Sequence, residues 1–137
     1  MTNIVAAHDI GRAMNPVYLD GQVYGGLVQG AGMTLTEDFR YADGRVESLN
    51  YNAYRIPKAA DFPDIDAIIV ENPDPTSPMG CKGIGEPALE IIAPAIANAF
   101  YHATGNRQFS LPFRGYRLVP AAKRKGPQTS EALQQHE

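Results

Sequence analysis

Five glycines, Gly21, Gly25, Gly26, Gly30 and Gly32, fall inside a stretch whose apolar residues recur at helical spacing. Val17, Val23-Tyr24, Leu27-Val28, Ala31 and Leu35 mark that period, Asn15 stands where an N-cap belongs and Pro16 takes the first helical position, so the spacing predicts a helix opening at Pro16. Each interior glycine costs roughly 1 kcal/mol relative to alanine, which opposes the helix on propensity alone. Only close packing offsets that cost. Gly26 and Gly30 lie four residues apart and share one face, where the missing side chains admit a second backbone or a ligand.

The remaining elements read more simply. Ile4-Val5-Ala6-Ala7 is a strand running into a turn at His8-Asp9-Ile10-Gly11, and Asp43-Gly44 is a hairpin turn between two short strands in Phe39 to Val46. Leu49 to Pro63 has no clean period and is expected as loop with short extended pieces. Ile65 to Glu71 is a strand. Asn72 to Gly85 carries three prolines and three glycines, long for an ordinary connection. Pro87 then opens a second helix, with Leu89, Ile91-Ile92, Ile96 and Phe100 on its apolar side, stopped by Gly105 and either kinked by Pro94 or with Pro94 in its early turn. Phe109 to Phe113 reads as a short extended piece. The fold expected is α+β, two main helices packed on a small mixed, mainly antiparallel sheet, with residues 1–122 as the folded unit and 123–137 as a flexible tail.

Composition narrows the function classes. A chain of 137 residues with 44% hydrophobic and 20% charged residues fits one compact domain and excludes a two-domain enzyme. Twelve Lys+Arg against fifteen Asp+Glu leave no basic footprint, so nucleic acid is not expected as a partner. The strongest apolar run, Ala67-Ile68-Ile69-Val70, is strand-sized and far short of the ~18 residues that cross a bilayer. Met1-Thr2-Asn3 lacks the basic and apolar regions of a signal peptide, and a cytoplasmic location is expected. With Cys81 the one cysteine, an internal disulfide and an all-cysteine zinc or iron-sulfur site are excluded.

Chemistry concentrates in Gly80-Cys81-Lys82-Gly83-Ile84-Gly85-Glu86-Pro87. Its glycines bring backbone close to something, and Glu86 is presented at a helix N-terminus, where a carboxylate is favoured in its charged form and so is ready to accept a proton. Read locally, Glu86 equally well caps the helix. The stretch is neither a Walker A loop nor a dinucleotide fingerprint. Gln22 and Gln29 are amides on an otherwise small and apolar helix, and if buried they must bond backbone or face a polar ligand. His8-Asp9 offers an acid/base pair, although a turn accounts for Asp9 better. Cys81 beside Lys82 reads as a small buried thiol before a reactive one, and Tyr51, Tyr54, Tyr101 and Tyr116 read as packing.

Taken together, the motifs resemble a known family. Asp9-Ile10-Gly11, Asn15-Pro16, Gly21-Gln22, Gly25-Gly26, Gln29-Gly30, Gly32 and Leu35-Thr36-Glu37, then Tyr54-Arg55-Ile56-Pro57, Asp61-Phe62-Pro63 and Lys82-Gly83-Ile84-Gly85-Glu86-Pro87, are similar in order and approximate spacing to the C-terminal end of the molybdopterin-binding subunit of molybdenum hydroxylases, the xanthine dehydrogenase and aldehyde oxidoreductase family. The resemblance runs from about Ile4 to about Phe113. It implies that Glu86 is the catalytic base of an oxidative hydroxylation with water, which overrides the local capping reading. It further implies that Gln22, after Gly21, lies at the molybdenum site, and that Gly83 and Gly85 belong to the cofactor wall. Lys82 matches a lysine of the same motif, where its charge would help keep Glu86 ionised. No direct metal ligand is implied.

The family's subunit is several times longer. The resemblance therefore implies a molybdenum-molybdopterin cofactor shared with an upstream pterin-binding half, with iron-sulfur and flavin groups on partner chains, and an isolated chain that is inactive and self-associates through apolar surface the rest would cover. Substrate stays open among purine, N-heterocycle and aldehyde. The competing readings are a non-catalytic remnant that keeps the fold but binds no cofactor and, more remotely, a small hydrolase, for which the sequence offers no nucleophile or metal cluster.

Overall fold

The computed structural model describes residues 1–113 as a pair of long helices laid on a short sheet. The boundary expected at 122 and the tail expected at 123–137 lie outside the described residues. The first strand, β1 (Ile4–Asp9), buries alternate residues, so Ile4, Ala6 and His8 face inward while Val5, Ala7 and Asp9 face out. The first helix, α1 (Pro16–Leu35), starts as expected, with the Asn15 side chain accepting the Tyr18 N–H and Pro16 at its first position. A hairpin of β2 (Tyr41–Ala42) and β3 (Arg45–Val46) turns at Asp43-Gly44. One helical turn, α2 (Tyr51–Tyr54), precedes β4 (Ile65–Val70) and the second long helix, α3 (Pro87–Thr104).

The α+β class with two main helices stands, and the sheets are mixed, but the longer pairing is parallel where a mainly antiparallel sheet was expected. β1 pairs with β4 from Ile4↔Ile65 to Asp9↔Val70, and only the short hairpin is antiparallel. The Asp-Gly turn reported its own hairpin correctly and said nothing about the strands on either side. Those are joined by a long connection containing α1, which parallel pairing requires and a tight turn cannot supply. Two further expectations shift. Within the expected loop from Leu49 to Pro63, the Asn50 side chain accepts the Asn52 and Ala53 N–H groups and nucleates α2, which ends on Arg55 at φ 56°. Phe109 to Phe113 is irregular, and the Phe113 N–H donates to the Thr34 carbonyl at 2.8 Å.

Helix α3 continues through Pro94, which sits in its interior, and ends at Gly105 in the left-handed region, whose N–H closes on the Tyr101 carbonyl at 2.7 Å. The core joins Ile4 and Ala6 of β1, Val23, Leu27 and Ala31 of α1, and Ala88, Ile92 and Ile96 of α3. Gly26 and Gly30 are the points where the helices meet. A Cβ on Gly26 would stand 2.8 Å from the Ala88 Cβ, and one on Gly30 would collide with the Ile92 Cγ2 and stand 2.6 Å from the Leu89 carbonyl oxygen. The propensity cost of these two glycines is offset by backbone contact between helices, as their spacing predicts.

Candidate active site at the helix amino termini

Contacts along the helix pair advance in the same sense, from Gly26 against Ala88 and Leu89 to Gly30 against Leu89 and Ile92. The amino-terminal ends of α1 and α3 therefore lie at the same end of the pair. Gln22, one turn before Gly26, continues the same stripe beyond the start of α3. Gln22 and Gln29 are both exposed, so neither is the buried amide that the helix composition suggested.

Glu86 is the residue immediately before α3 and is exposed. Its side chain makes no capping hydrogen bond, while its carbonyl accepts the Leu89 N–H at 2.9 Å. The local reading, in which Glu86 serves the helix as its side-chain cap, does not describe this geometry. The glycines around it are equally unengaged. A Cβ on Gly21, Gly25, Gly83 or Gly85 would meet nothing within 4 Å, in contrast to Gly26 and Gly30. Packing among the described residues thus explains Gly26, Gly30 and Gly32, the last set against Glu37 and Pro57, and leaves Gly21 and Gly25 without an internal reason.

The loop ahead of Glu86 is held by β1 and the residues after it. Gly11 takes φ +67°, and a Cβ there would collide with the Gly80 carbonyl oxygen, so glycine is required for this approach. The Arg12 N–H donates to Gly80 at 3.0 Å and the Lys82 N–H to Ile10 at 2.9 Å, flanking an antiparallel bridge between Gly11 and Cys81. The Ser77 hydroxyl donates to the Cys81 carbonyl. Glu71 accepts the Ala13 N–H at 2.9 Å. Ile84 packs against the core, and the chain then leaves through Gly83 and Gly85, on either side of it, with open space around both.

Lys82 is committed elsewhere than to Glu86. Its ammonium donates to the Asp9 carboxylate at 2.6 Å, where the resemblance implied support of Glu86. Asp9 also accepts the Gly11 N–H at 3.0 Å and the Asn72 N–H at 3.3 Å, so the turn reading of Asp9 holds and the ion pair is added to it. The lysine bond, then the Gly11 N–H, hold the Asp9 carboxyl below its ordinary 3.8. His8 and Asp9 alternate across β1, with His8 buried and Asp9 exposed, which rules out an acid/base pair between them. The pairing of Asp9 with Lys82 is the contact that local spacing missed, because the two lie 73 residues apart.

Among the described residues there is no cluster of three or more His, Cys, Asp or Glu side chains placed to hold a metal ion, and no helix is long and apolar enough to cross a membrane. Cys81 is partly exposed. Tyr54 packs edge-to-face on Phe39 with ring centroids 5.9 Å apart and is hydrogen-bonded to Glu37; Tyr101 lies under the Arg107 guanidinium, and Tyr51 is exposed.

Residues 1–63 match the family model described as a molybdopterin cofactor-binding domain. The chain is 36% identical over 120 residues to a putative xanthine dehydrogenase molybdenum-binding subunit of Escherichia coli, the match covering 86% of this chain and 16% of that protein. It is 37% identical over 120 residues to an aldehyde oxidoreductase of Megalodesulfovibrio gigas, covering 84% of this chain and 12% of the other. The crystal structure of the aldehyde oxidoreductase from Desulfovibrio desulfuricans superimposes with a TM-score of 0.73 at 38% identity, over 81% of this chain and 12% of that one. The chain thus spans at most about a sixth of the length of these relatives.

Proposed function

Because the chain belongs to the molybdenum hydroxylase family, matching one segment of its molybdenum-binding subunit, we propose that it is the C-terminal piece of such a subunit and contributes the base and part of the cofactor wall to an oxidative hydroxylation with water. The substrate class is a purine, N-heterocycle or aldehyde. The observation that carries the reading is the exposed Glu86 carboxylate, free of any capping bond, immediately before α3.

The residues present fit the implied cofactor. A Cβ at Gly21, Gly25, Gly83 or Gly85 would meet nothing within 4 Å, so the backbone at each is open to the approach of a rigid planar group. Gln22 offers an amide that both donates and accepts, and Gly83 and Gly85 offer backbone N–H groups. When bound, the molybdenum-molybdopterin group supplies Lewis acidity and accepts the electrons.

The part of this chain is to position and to move a proton. Glu86 accepts it at a carboxylate oxygen, provided that the donor comes within about 2.6–3.2 Å. Lys82 acts on Glu86 as a positioning residue, since its bond to Asp9 fixes the loop from which Glu86 follows. The pterin-binding portion of the subunit and carriers of iron-sulfur and flavin groups are partner chains in this reading, and the isolated chain is inactive.

Capture of the tagged chain from its native cell, followed by metal analysis and peptide sequencing, tests the reading. It predicts molybdenum together with a larger molybdopterin-binding polypeptide. A chain that comes alone and metal-free contradicts it and favours a remnant that keeps the shape without the cofactor.

A further inference from the structure

Residues 9–13, between β1 and α1, form the platform on which the loop ahead of Glu86 rests. In its middle the two segments pair through backbone, the bridge of Gly11 with Cys81 being flanked by the bonds from Arg12 to Gly80 and from Lys82 to Ile10. At its near end Asp9 holds Lys82 and accepts the Asn72 N–H. At its far end the Ala13 N–H donates to the Glu71 Oε2 at 2.9 Å, across 58 positions of sequence. β1 and β4 are parallel with Asp9 level with Val70, so both carboxylates stand at the same end of the sheet, one from each strand.

Glu71 is exposed and forms no salt bridge among the described residues. Water competes for both partners of an exposed bond, so its contribution to folding is small and its consequence is geometric. Ile10 and Gly11 are buried, whereas no residue from 12 to 22 is. Packing therefore grips the near end of the platform, and the Glu71 carboxylate is the side-chain tie on the far end. Beyond Lys82 the chain passes Gly83 and Gly85, where a Cβ would meet no neighbour, with Ile84 between them packed against the core. A shift of the platform at Gly80 to Lys82 is passed along this stretch to Glu86.

We infer that Glu71 is a positioning residue for Glu86, acting through Ala13 and the backbone pairing of residues 10–12 with 80–82. The role rests on the proposed function and widens the support of the base from Lys82 to the end of β4. Glu71 takes no proton in it; its oxygen holds one N–H, which a neutral amide oxygen of the same reach can also do.

The test compares Glu71→Ala, Glu71→Gln and Glu86→Gln in the full chain, each captured as the complex from its native cell. Hydrogen exchange of peptides covering residues 10–15 and 80–86 reads the platform. Turnover of a purine and an aldehyde, divided by molybdenum content, reads the base. Glu71→Ala is expected to quicken exchange in both peptides by about tenfold, the factor for one lost hydrogen bond. Its kcat per molybdenum is expected to fall about 10- to 100-fold with KM within about twofold, as a displacement of ~1 Å at a catalytic group produces. Glu71→Gln is expected to restore exchange and kcat to near those of the parent, a rescue that loss of the carboxylate charge alone would not give.

Parent kcat per molybdenum in Glu71→Ala, with the loss confined to molybdenum content or yield, overturns the role and leaves a structural tie. Quickened exchange that stops at residue 15, or a Glu71→Gln no better than Glu71→Ala, overturns it as well. Glu86→Gln separates the two failures. If it is slowed and Glu71→Ala is not, the role of Glu71 alone falls; if it turns over at the parent rate, the proposed function falls with it. Should Glu71→Ala fail to assemble, Glu71→Asp, one methylene shorter, takes its place in the same comparison.

Discussion

The Lys82 ammonium stands 2.6 Å from the Asp9 Oδ2 and joins the end of β1 to the loop that leads into Glu86. Lys82→Met is expected to return the Asp9 carboxyl toward its ordinary 3.8, because the lysine bond is the foremost cause of its depression. Amide exchange at Gly80 to Lys82 should quicken while thermal stability hardly moves, since an ion pair this exposed contributes little. A carboxyl-detected titration together with hydrogen exchange checks both.

The same pair sets a direction with pH. The folded-state value of Asp9 lies below its unfolded one, so the anchoring is fully present above about pH 4 and is lost as pH falls through the lower folded value. Loop exchange should therefore accelerate on the acid side only, and Lys82→Met should abolish that acceleration.

Glycines that look alike in the sequence should separate in unfolding experiments. Gly30→Ala drives a Cβ against Ile92 and the Leu89 carbonyl and is expected to cost about 1–3 kcal/mol. Gly25→Ala meets nothing within 4 Å and is expected to stabilise the chain by up to about 1 kcal/mol. In the assembled complex the gain at Gly25 should come with weaker molybdenum retention, because the added methyl would stand on backbone that the proposed cofactor approaches. Urea denaturation and metal analysis of the two variants read these effects separately.

These glycines also show how far the sequence could be read. The four-residue spacing of Gly26 and Gly30 announced a close approach, and the second helix supplies it. Asn15-Pro16, Asp43-Gly44 and Gly105 fixed turns and ends through local backbone chemistry, which needs no knowledge of the fold. Parallel pairing of β1 with β4, and the bond from Lys82 to Asp9, depend on residues about 60 to 70 positions apart, and no local pattern encodes such partners. Gln22 and Gln29 were read from helix composition, which does not tell where a second helix starts; both are exposed.

At alkaline pH the sensitive group is Tyr54, raised above 10.0 chiefly by its hydrogen bond to Glu37. A raised value means that this contribution is complete below pH 10 and is lost as pH rises through the folded value. Glu37→Ala should bring the tyrosine back toward 10, seen as an earlier phenolate absorbance in the difference titration against the parent chain.

The isolated chain is expected to self-associate through an apolar groove between β1 and α3 when its partner is absent, because apolar surface of this kind is otherwise covered. Sedimentation at high concentration should show species larger than a monomer, and a clean monomer would contradict the expectation.

The central claim is that Glu86 serves as a base in an assembled molybdenum enzyme, and turnover of Glu86→Gln in the captured complex tests it most directly, assayed on a purine and an aldehyde. The glutamine keeps the size of the side chain, and no capping bond is lost, so folding and molybdenum content should match those of the parent complex. Turnover is predicted to fall by about 10²–10⁴-fold, the range for a positioned general base. Full turnover by the Glu86→Gln complex at parent molybdenum content would contradict the account.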